Sequence, residues 1–524
     1  MHAGEEIGAE GVAGVAGVAA RAAGITLAAL LRRSLRLFAD RVAIVGPERR
    51  LTYGELGERS ERLAAALCAA GAGSGRRIAV LADPCPEFAE LYVAAARIGV
   101  TVVALNTRLH AEEIAYCLGL ARPERIFCAA RHRALLGPAG GDAVVFGDGD
   151  GAYERFLASG DGGAAEGEPT PESIHNVLFT SGTTGRPKGA LVSHRAAATR
   201  AHRIAQWYGL GPEDGFVGWL PMFHCGGDEP LYATLLTGGR VATFERPDPE
   251  AMFAAIEGER LTWTLLLPGV ITTFLQHPRR GEYDLSSLRF AIGYANMMPA
   301  VVSAFTAELG EFWDAFGQTE TSFLVAHGRV PRGTAPTLRK APAPLMEIRI
   351  VDDELNEQPV GVPGECVVRG PSVMSGYLDD PQATAEAFRG GWLHTGDVLV
   401  RHEDGTLSFV DRAKYLIKTG GENVYPAEVE AVLAAHPGVQ EVCVLGVPDA
   451  YWGEAVKAVA ATLPGTAPTA GELVAWCRDR LGGYKRPRYL QFMAAADLPR
   501  SATGKLLRHE LAALPVTDDQ RVAE

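Results

Sequence analysis

The sequence has few cysteines, no long apolar run and no excess of positive charge, and each absence excludes a class of protein. Its eight cysteines among 524 residues form no CxxC pair, which excludes a disulfide framework and a zinc ribbon. No apolar run reaches the roughly 20 residues that span a bilayer. The net charge of -13 argues against a nucleic-acid-binding surface but leaves a local pocket for anions open. We therefore predict a cytoplasmic protein that binds no nucleic acid.

The length predicts more than one domain, because 524 residues exceed what a single hydrophobic core holds. Residues 1–24 are rich in Gly, Ala and Val and predict a disordered leader. From Val42 to Ala130, strand-like runs such as RRIAVLAD alternate with helical runs such as PEFAELYVAAARIG. This alternation predicts α/β subdomains with parallel sheets in an N-terminal domain over 25–412.

Two further sequence patterns follow the part predicted to form parallel sheets. Between 343 and 410 short strands and turns predict a small β-barrel-like unit within the N-terminal domain. Helix and strand patterns after residue 412 predict a separate α/β domain over 413–524.

The strongest chemical signal is the glycine- and hydroxyl-rich stretch 180–189, which follows a strand-like run. Glycines allow backbone N–H groups to turn inward, hydroxyls add donors and a lysine adds positive charge, so the stretch is suited to polyphosphate. Pro187 and Gly189 depart from the Walker A pattern. The phosphate-binding candidates are Thr180, Ser181, Gly182, Thr183, Thr184, Gly185 and Lys188.

This stretch resembles the signature loop of the adenylate-forming superfamily, which includes acyl- and aryl-CoA synthetases, firefly luciferase and peptide-synthetase adenylation domains. The resemblance runs from Leu51 to Lys505 and so covers nearly the whole chain after the leader. It implies a large N-terminal domain, a small mobile C-terminal α/β domain, and the use of ATP, Mg²⁺ and coenzyme A.

The segment 314–320 carries the second strong signal, an aromatic-Gly-x-Thr-Glu unit. By resemblance, Phe316 stacks on adenine, Thr319 bonds the α-phosphate, and Glu320 holds Mg²⁺ together with Thr183. A hard cation prefers carboxylate oxygen and bridges phosphates, so the chemistry agrees. Beyond the phosphate loop, the resemblance assigns nucleotide contacts to Tyr294, Ala295, Asp314, Ala315, Phe316, Gly317, Gln318, Thr319, Asp397, Phe409, Arg412 and Lys505.

Three of those residues lie late in the predicted N-terminal domain. Asp397 resembles the carboxylate that accepts hydrogen bonds from both ribose hydroxyls. Arg412 is implied to reach the ribose or a phosphate, with Phe409 beside the nucleotide. Asp411 departs from the family pattern, where a glycine usually precedes the arginine.

The residues after Arg412 resemble the mobile part of the family. Lys414 stands where relatives place an interdomain hinge, which must absorb a large backbone rotation. Gly420, Gly421 and Glu422 resemble the loop that lines the CoA channel, where glycines let the backbone approach the pantetheine arm. Lys505 ends a C-terminal signature, and its ammonium is implied to bridge the substrate carboxylate and the α-phosphate.

In the segments that form the acyl pocket of the family, this sequence departs from the family pattern. His224 ends the aromatic–His segment that forms one side of the pocket. Tyr294 stands where relatives have glycine, and Asp228 and Glu229 stand where apolar residues are common. These departures predict a bulky, ring-containing acid. The pocket candidates are His224, Asp228, Gly269, Tyr294 and Phe323.

The predicted reaction is ATP-dependent formation of an acyl-adenylate from a carboxylic acid, followed by transfer of the acyl group to CoA. The predicted catalytic residues are Lys188, His224, Thr319, Glu320 and Lys505. Transfer to a separate carrier protein and a ligase that never uses CoA stay open, and the motifs do not exclude a luciferase. A nucleotide sensor without catalysis would have lost Glu320 or Lys505. Homodimer formation is also left open.

Overall fold

A computed structural model describes residues 25–522 apart from 148, 150, 164, 166, 181–186, 295–298, 420–421, 450, 479 and 501–505. The described residues fall into two compact units. The first takes the residues up to Glu347 together with Val368–Leu393, and the second takes Ile348–Val367 and the residues from His394 onward. The domain boundary at 412 and the hinge at Lys414 stay predictions.

The helices begin and end at short capping signals, such as the hydroxyl of Ser193, which accepts a hydrogen bond from the Ala196 amide. No helix in the described ranges is both long and apolar enough to cross a membrane. The α-helices are Leu27–Leu37, Tyr53–Ala69, Pro86–Ile98, Ala111–Ala121, Ala152–Ala158, His194–Trp207, Cys225–Thr237, Pro249–Glu259, Pro268–Gln276, Pro299–Glu308, Pro381–Ala387, Pro426–Ala434, Ala470–Arg478 and Arg508–Ala512. The 3₁₀ helices are Ala130–Gly141, Arg280–Glu282, Arg389–Gly391, Ala413–Tyr415, Gly483–Lys485 and Asp518–Gln520.

The strands, labelled in chain order, alternate with these helices. They are β1 Val42–Val45, β2 Arg50–Thr52, β3 Arg77–Leu81, β4 Thr101–Ala104, β5 Arg125–Ala129, β6 Val144–Phe146, β7 Ile174–Thr180, β8 Lys188–Ser193, β9 Gly215–Gly218, β10 Arg240–Thr243, β11 Trp263–Leu265, β12 Phe290–Gly293, β13 Glu311–Gln318, β14 Ser322–Val330, β15 Ala341–Pro342, β16 Glu347–Val351, β17 Gly364–Arg369, β18 Gly376–Tyr377, β19 Leu393–Arg401, β20 Leu407–Arg412, β21 Ile417–Thr419, β22 Glu422–Val424, β23 Val439–Asp449, β24 Gly453–Thr462 and β25 Tyr489–Phe492.

Two large sheets build the first unit. Sheet A has the strand order β15-β14-β13-β12-β11-β9-β10-β1-β2, and sheet B has the order β18-β8-β7-β4-β3-β5-β6. Their central strands run parallel, and antiparallel strands stand at the edges. Every residue of β4, β9 and β12 is buried, because helices cover both faces of a parallel sheet. The α/β prediction for this part of the chain is confirmed.

The second unit contains sheet D, with the order β22-β21-β24-β23 and β25 beside β24, and most of sheet C, with the order β16-β17-β19-β20. Sheet C corresponds to the short strands predicted after residue 343. Sheet D and the helices Pro426–Ala434 and Ala470–Arg478 enclose their own apolar core. The small C-terminal α/β part of the prediction is confirmed.

Candidate active site

Three predicted site residues follow the carboxyl ends of parallel strands in sheet A. His224 lies shortly after β9, Tyr294 directly follows β12, and Thr319 directly follows β13. These strands run parallel through β11, so their carboxyl ends share one edge of the sheet. Ligands of α/β proteins bind at that edge, which makes it the candidate active site of the first unit.

Tyr377 contacts both the phosphate-loop lysine, Lys188, and the predicted metal ligand, Glu320. Lys188 begins β8, and its Nζ lies 5.4 Å from the centre of the Tyr377 ring. The hydroxyl of Tyr377 donates a hydrogen bond of 2.9 Å to Oε1 of Glu320. Tyr377 reaches this position because β18 pairs antiparallel with β8. The structure therefore brings a cation and a carboxylate together where the sequence predicts polyphosphate and Mg²⁺.

The turn that carries Thr319 and Glu320 is tightly built. It joins β13 to β14, and the Thr321 hydroxyl accepts a hydrogen bond of 3.2 Å from the Gln318 amide. A Cβ atom at Gly317 would lie 2.2 Å from the carbonyl oxygen of Ser322, so only glycine permits this approach. Ser322 itself has φ +100°, a conformation that non-glycine residues rarely adopt.

The earlier residues of the same segment point to the interior. Asp314 is buried, and its Oδ2 lies 2.6 Å from Nζ of the equally buried Lys340. Phe316 is 7% exposed and Ala315 is buried. Gln318 and the following two residues are half-buried at the strand end. The nucleotide contacts assigned to these residues stay predictions.

His224 is the N-cap of the helix Cys225–Thr237. Its Nδ1 accepts a hydrogen bond of 3.0 Å from the Gly226 amide, so the ring proton belongs on Nε2. The next residue, Gly227, allows the helix to start against the preceding chain, because a Cβ there would lie 2.1 Å from the Pro221 carbonyl oxygen. The segment from Phe223 to Gly227 therefore fixes both the position and the tautomer of the histidine.

Two neighbouring carboxyl groups are buried near the start of that helix. Asp228 accepts a hydrogen bond of 2.7 Å from the Asn176 side chain, and Glu229 forms an ion pair of 3.2 Å with Arg200. Burial, and next the charge of Glu229, raise the pKa of Asp228 to about 8. Burial likewise raises the pKa of Glu229, and the guanidinium of Arg200 opposes that rise.

Tyr294 lies near this helix start. Burial raises the pKa of its phenol, and the charges of Cys225, Glu229 and Asp314 raise that pKa further. The ring is half-buried, so part of it faces solvent at the strand edge. The role of Tyr294 in the acyl pocket stays a prediction.

The remaining pocket candidates differ in their surroundings. Phe323 is buried at the start of β14, and Gly269 lies in the first turn of the helix Pro268–Gln276. Their roles in the pocket stay predictions.

In the second unit, Asp397 and Arg412 are directly opposite each other on β19 and β20. Nε of Arg412 lies 2.6 Å from Oδ1 of Asp397, which is buried. Phe409 is half-buried on the same strand as Arg412. The structure thus joins two of these three predicted nucleotide-binding residues, and their contacts with nucleotide stay a prediction.

Asp411, which departs from the family pattern, has a structural role in this unit. Its carboxylate accepts hydrogen bonds of 2.6 Å from the Arg412 amide and 2.7 Å from the Ala427 amide. Ala427 lies in the first turn of the helix Pro426–Ala434, where amides lack partners within the helix. The aspartate therefore anchors the start of that helix.

Of the remaining predicted residues, two lie in the second unit and the others lie outside the described part of the chain. Lys414 lies in the 3₁₀ helix Ala413–Tyr415, and Glu422 is exposed at the start of β22. The predicted site residues outside the described ranges are Ser181, Gly182, Thr183, Thr184, Gly185, Ala295, Gly420, Gly421 and Lys505.

Four residues of this site carried no sequence signal. Tyr377 contacts Glu320, Arg200 and Lys340 form the buried ion pairs, and Ser372 donates a hydrogen bond of 2.9 Å to the Thr321 carbonyl oxygen. Each acts through a partner distant in sequence, so no local pattern marks it. Arg200 is one of three arginines in the helix His194–Trp207, so the helix sequence does not mark it either.

The fold and this strand-edge site define the class of adenylate-forming enzymes. Residues 31–378 match the family described as AMP-binding enzyme, and residues 428–505 match the AMP-binding enzyme C-terminal domain. The chain belongs to the AMP-binding enzyme family, which confirms the resemblance found in its motifs.

Several similar proteins are named as CoA ligases or CoA synthases. A feruloyl-CoA synthase from Amycolatopsis sp is 35% identical over 473 residues, which cover 88% of this chain and 93% of the relative. An indoleacetate–CoA ligase from Aromatoleum aromaticum is 35% identical over 496 residues, covering 91% and 96%. The crystal structure of ATP-bound MatB from Rhodopseudomonas palustris has a TM-score of 0.83 at 28% identity and covers 93% of this chain and 98% of its own. The prediction of an AMP-forming acid–thiol ligase is confirmed.

Proposed function

We propose that this enzyme joins a bulky, ring-containing carboxylic acid to coenzyme A, with ATP as the energy source and an acyl-adenylate as the intermediate. The observation that carries the proposal is the grouping of Lys188, Tyr377 and Glu320 at the strand edge of the first unit. A cation for phosphate oxygens and an oriented carboxylate for a metal are what adenylation of an acid requires.

The residues present fit Mg²⁺ bound together with a nucleotide. Mg²⁺ usually takes one or two carboxylates and completes its shell with substrate phosphates and water. Glu320 is half-buried at the turn, and the Tyr377 hydroxyl fixes the direction of its carboxylate. When bound, Mg²⁺ neutralises phosphate charge, and Glu320 and the Thr183 hydroxyl are the groups proposed to hold it.

In the first step a carboxylate oxygen of the acid attacks the α-phosphorus of ATP. An O–P bond forms, the bond from the α-phosphorus to the bridging oxygen breaks, and pyrophosphate leaves with its electron pair. Lys188, the Thr319 hydroxyl and Lys505 are proposed to stabilise the negative charge that redistributes over the phosphate oxygens. The neutral imidazole of His224 keeps its Nε2 proton as a donor at the side of the acid, which follows from its Nδ1 contact.

The ring-containing substrate class is supported from two directions. Tyr294 stands beside the strand edge, near the start of the helix Cys225–Thr237, where an aromatic ring can pack against a planar substrate. Two relatives at 35% identity are named for feruloyl and indoleacetate groups, which both contain rings. We propose an aromatic or polycyclic acid on these grounds.

For the second step, the second unit offers a surface suited to the nucleotide part of CoA. Tyr451 is 80% exposed, and its ring centre lies 4.8 Å from that of Trp452. The guanidinium of Arg488 lies 4.6 Å from the Trp452 ring centre on the same surface. Exposed aromatic rings and a cation together favour an adenine ring that carries phosphates. The CoA thiolate is then proposed to attack the acyl carbonyl, with AMP as the leaving group.

A panel of acids tests this proposal directly. Purified enzyme is given ATP, Mg²⁺ and acetate, octanoate, ferulate or indoleacetate, with and without CoA. Pyrophosphate, AMP and the CoA thioester are measured separately. We expect ring-containing acids to give the highest kcat/KM and thioester to appear only with CoA. Acyl-AMP that persists in the presence of CoA would instead favour a carrier protein as the acceptor, and a preference for octanoate would reject the ring-containing class.

A further inference from the structure

Arg200 is a deeply buried charged residue behind the candidate active site. It lies on the helix His194–Trp207 and is 1% exposed. Its guanidinium makes three contacts: Nη1 lies 3.2 Å from Oε1 of Glu229, Nε donates 2.8 Å to the Ser372 carbonyl oxygen, and Nη2 donates 3.2 Å to the Thr319 carbonyl oxygen. One side chain therefore holds three segments of the chain, including the turn with the proposed phosphate ligand.

Glu229 extends the same network to the other end of the turn. Its second oxygen accepts a hydrogen bond of 2.6 Å from the Ser322 hydroxyl. Ser322 has φ +100°, and a strained residue keeps such a conformation only where its surroundings determine it. The carboxylate thus holds the residue that ends the turn, while Arg200 holds the residue that begins it.

A third segment, which runs from Ser372 to Tyr377, also contacts the turn. The Ser372 hydroxyl donates 2.9 Å to the Thr321 carbonyl oxygen, and the Met374 amide donates 2.8 Å to the Glu320 carbonyl oxygen. The same segment continues to Tyr377, whose hydroxyl orients the Glu320 carboxylate. Arg200 contacts this segment through the Ser372 carbonyl, so it sets the Thr-Glu turn and the tyrosine together.

Stability alone does not account for a charged pair in this place. Two buried charges lose their hydration, and apolar replacements of similar volume are often as stable or more stable. The directional contacts of a planar guanidinium, in contrast, have no apolar equivalent. We propose that Arg200 and Glu229 are positioning residues, which fix the turn Thr319–Thr321 in the geometry that adenylation needs. This inference rests on the proposed adenylation activity.

The test uses three variants of the full-length enzyme: Arg200→Met, Glu229→Gln and the double variant Arg200→Met/Glu229→Met. Steady-state pyrophosphate release gives kcat and the KM values for ATP and acid, and thermal unfolding gives stability. A displacement of about 1 Å at a reacting group costs on the order of 100-fold in rate. We expect kcat to fall about 100-fold in Arg200→Met. Glu229→Gln keeps an acceptor oxygen, so its loss should be smaller.

The double variant separates positioning from stability. Removing both partners leaves the buried charge of Arg203, which Glu229 otherwise offsets. We therefore expect kcat of the double variant to stay as low as that of Arg200→Met even where the unfolding temperatures of the two variants differ. Arg59→Met is the matched control, because Arg59 pairs with the buried Glu90 at 2.8 Å in the same unit without contacting the turn. It should lower the unfolding temperature and leave kcat of the folded enzyme within about twofold of the wild type.

Recovery of kcat together with stability in the double variant would overturn the inference, as would an unchanged kcat in Arg200→Met. If Arg200→Met does not fold, Glu229→Gln and the double variant decide by the same comparison. Absence of pyrophosphate release from the wild type with every acid would instead reject the proposed function. An inactive wild type thus rejects the proposed function, whereas an active wild type with unchanged kcat in Arg200→Met rejects only the inference about Arg200 and Glu229.

Discussion

The hydroxyl of Tyr377 donates a hydrogen bond of 2.9 Å to Oε1 of Glu320, across 57 residues of sequence. The carboxylate that we propose for Mg²⁺ is thus oriented by β18, which pairs with β8, rather than by its own turn. Groups behind a metal ligand commonly contribute 10–100-fold to metal affinity by fixing its direction.

Tyr377→Phe should therefore weaken the use of Mg²⁺. We expect the Mg²⁺ concentration that gives half-maximal pyrophosphate release to rise about 10-fold or more, because the freed carboxylate loses its orientation. The unfolding temperature should change little. Tyr208→Phe is the matched control, since the Tyr208 hydroxyl is buried and has no partner among the described residues. An equal Mg²⁺ dependence in both variants would contradict the proposed role of Tyr377.

Asp228→Asn should change how stability depends on pH. The pKa of Asp228 is raised to about 8, whereas in the unfolded chain it returns to about 4. Between these values the folded state binds more protons, so the contribution of Asp228 to stability is complete below pH 4 and falls as the pH rises to 8. The variant lacks this titration. It should therefore gain stability relative to the wild type by at least about 1.4 kcal/mol between pH 5 and pH 8.

Chemical denaturation at pH 5, 6, 7 and 8 measures this difference. Asp161→Asn provides the control, because Asp161 is an exposed acid that pairs with Arg62 at the surface. Its difference from the wild type should stay constant over the same range. A constant difference for Asp228→Asn as well would show that this carboxyl is ionised in the folded enzyme.

Tyr294 offers a test of acid specificity. Tyr294→Gly removes the ring, and Tyr294→Phe removes only the hydroxyl, so the pair separates packing from hydrogen bonding. A change of one methylene in a pocket is worth ~1–3 kcal/mol, and loss of a ring should exceed that. We expect Tyr294→Gly to shift the ratio of kcat/KM between ferulate and octanoate by at least about 10-fold, with the KM for ATP within a few fold. An unchanged ratio would move Tyr294 out of the acyl pocket.

Lys505 and Gly421 should separate the two half-reactions. Lys505→Ala should reduce acyl-AMP formation by at least about 10²–10³-fold, because a charge at the transition state is lost. It should still transfer the acyl group from supplied acyl-AMP to CoA. Gly421→Leu should show the reverse, with pyrophosphate exchange kept and thioester formation lost, because its side chain blocks the pantetheine. Equal losses in both half-reactions for either variant would reject its assignment.

The order of strands and helices followed from the sequence, because buried parallel strands and amphipathic helices have distinct periods. β3 and the helix Pro86–Ile98 match the runs that predicted them. The Thr-Glu turn was also visible, since its residue types are local to one segment. Both kinds of signal depend only on neighbours in the chain.

The sequence did not predict the residues that hold the site in place, because their roles depend on contacts between distant segments of the chain. Arg200 is one of several arginines in its helix, and only the fold shows that it contacts the Thr319 carbonyl oxygen. Asp411 illustrates the same limit: the sequence marks a departure from the family, and the structure shows that it holds the Ala427 amide. The raised pKa of Asp228 likewise results from burial, which no single residue type encodes.

The buried contacts of Arg200 also bear on how the polypeptide acquires activity during synthesis. They join Arg200 to Thr319, which lies 119 positions later in the chain, and to Ser372, which lies 172 positions later. Such distant pairs form late, because the entropy of closing a long loop opposes them until the rest of the unit has folded. A nascent chain that has emerged from the ribosome only as far as Thr321 already carries the phosphate loop and the Thr-Glu turn. That turn can take its final shape only after Ser372 has been translated and has docked against the helix of Arg200.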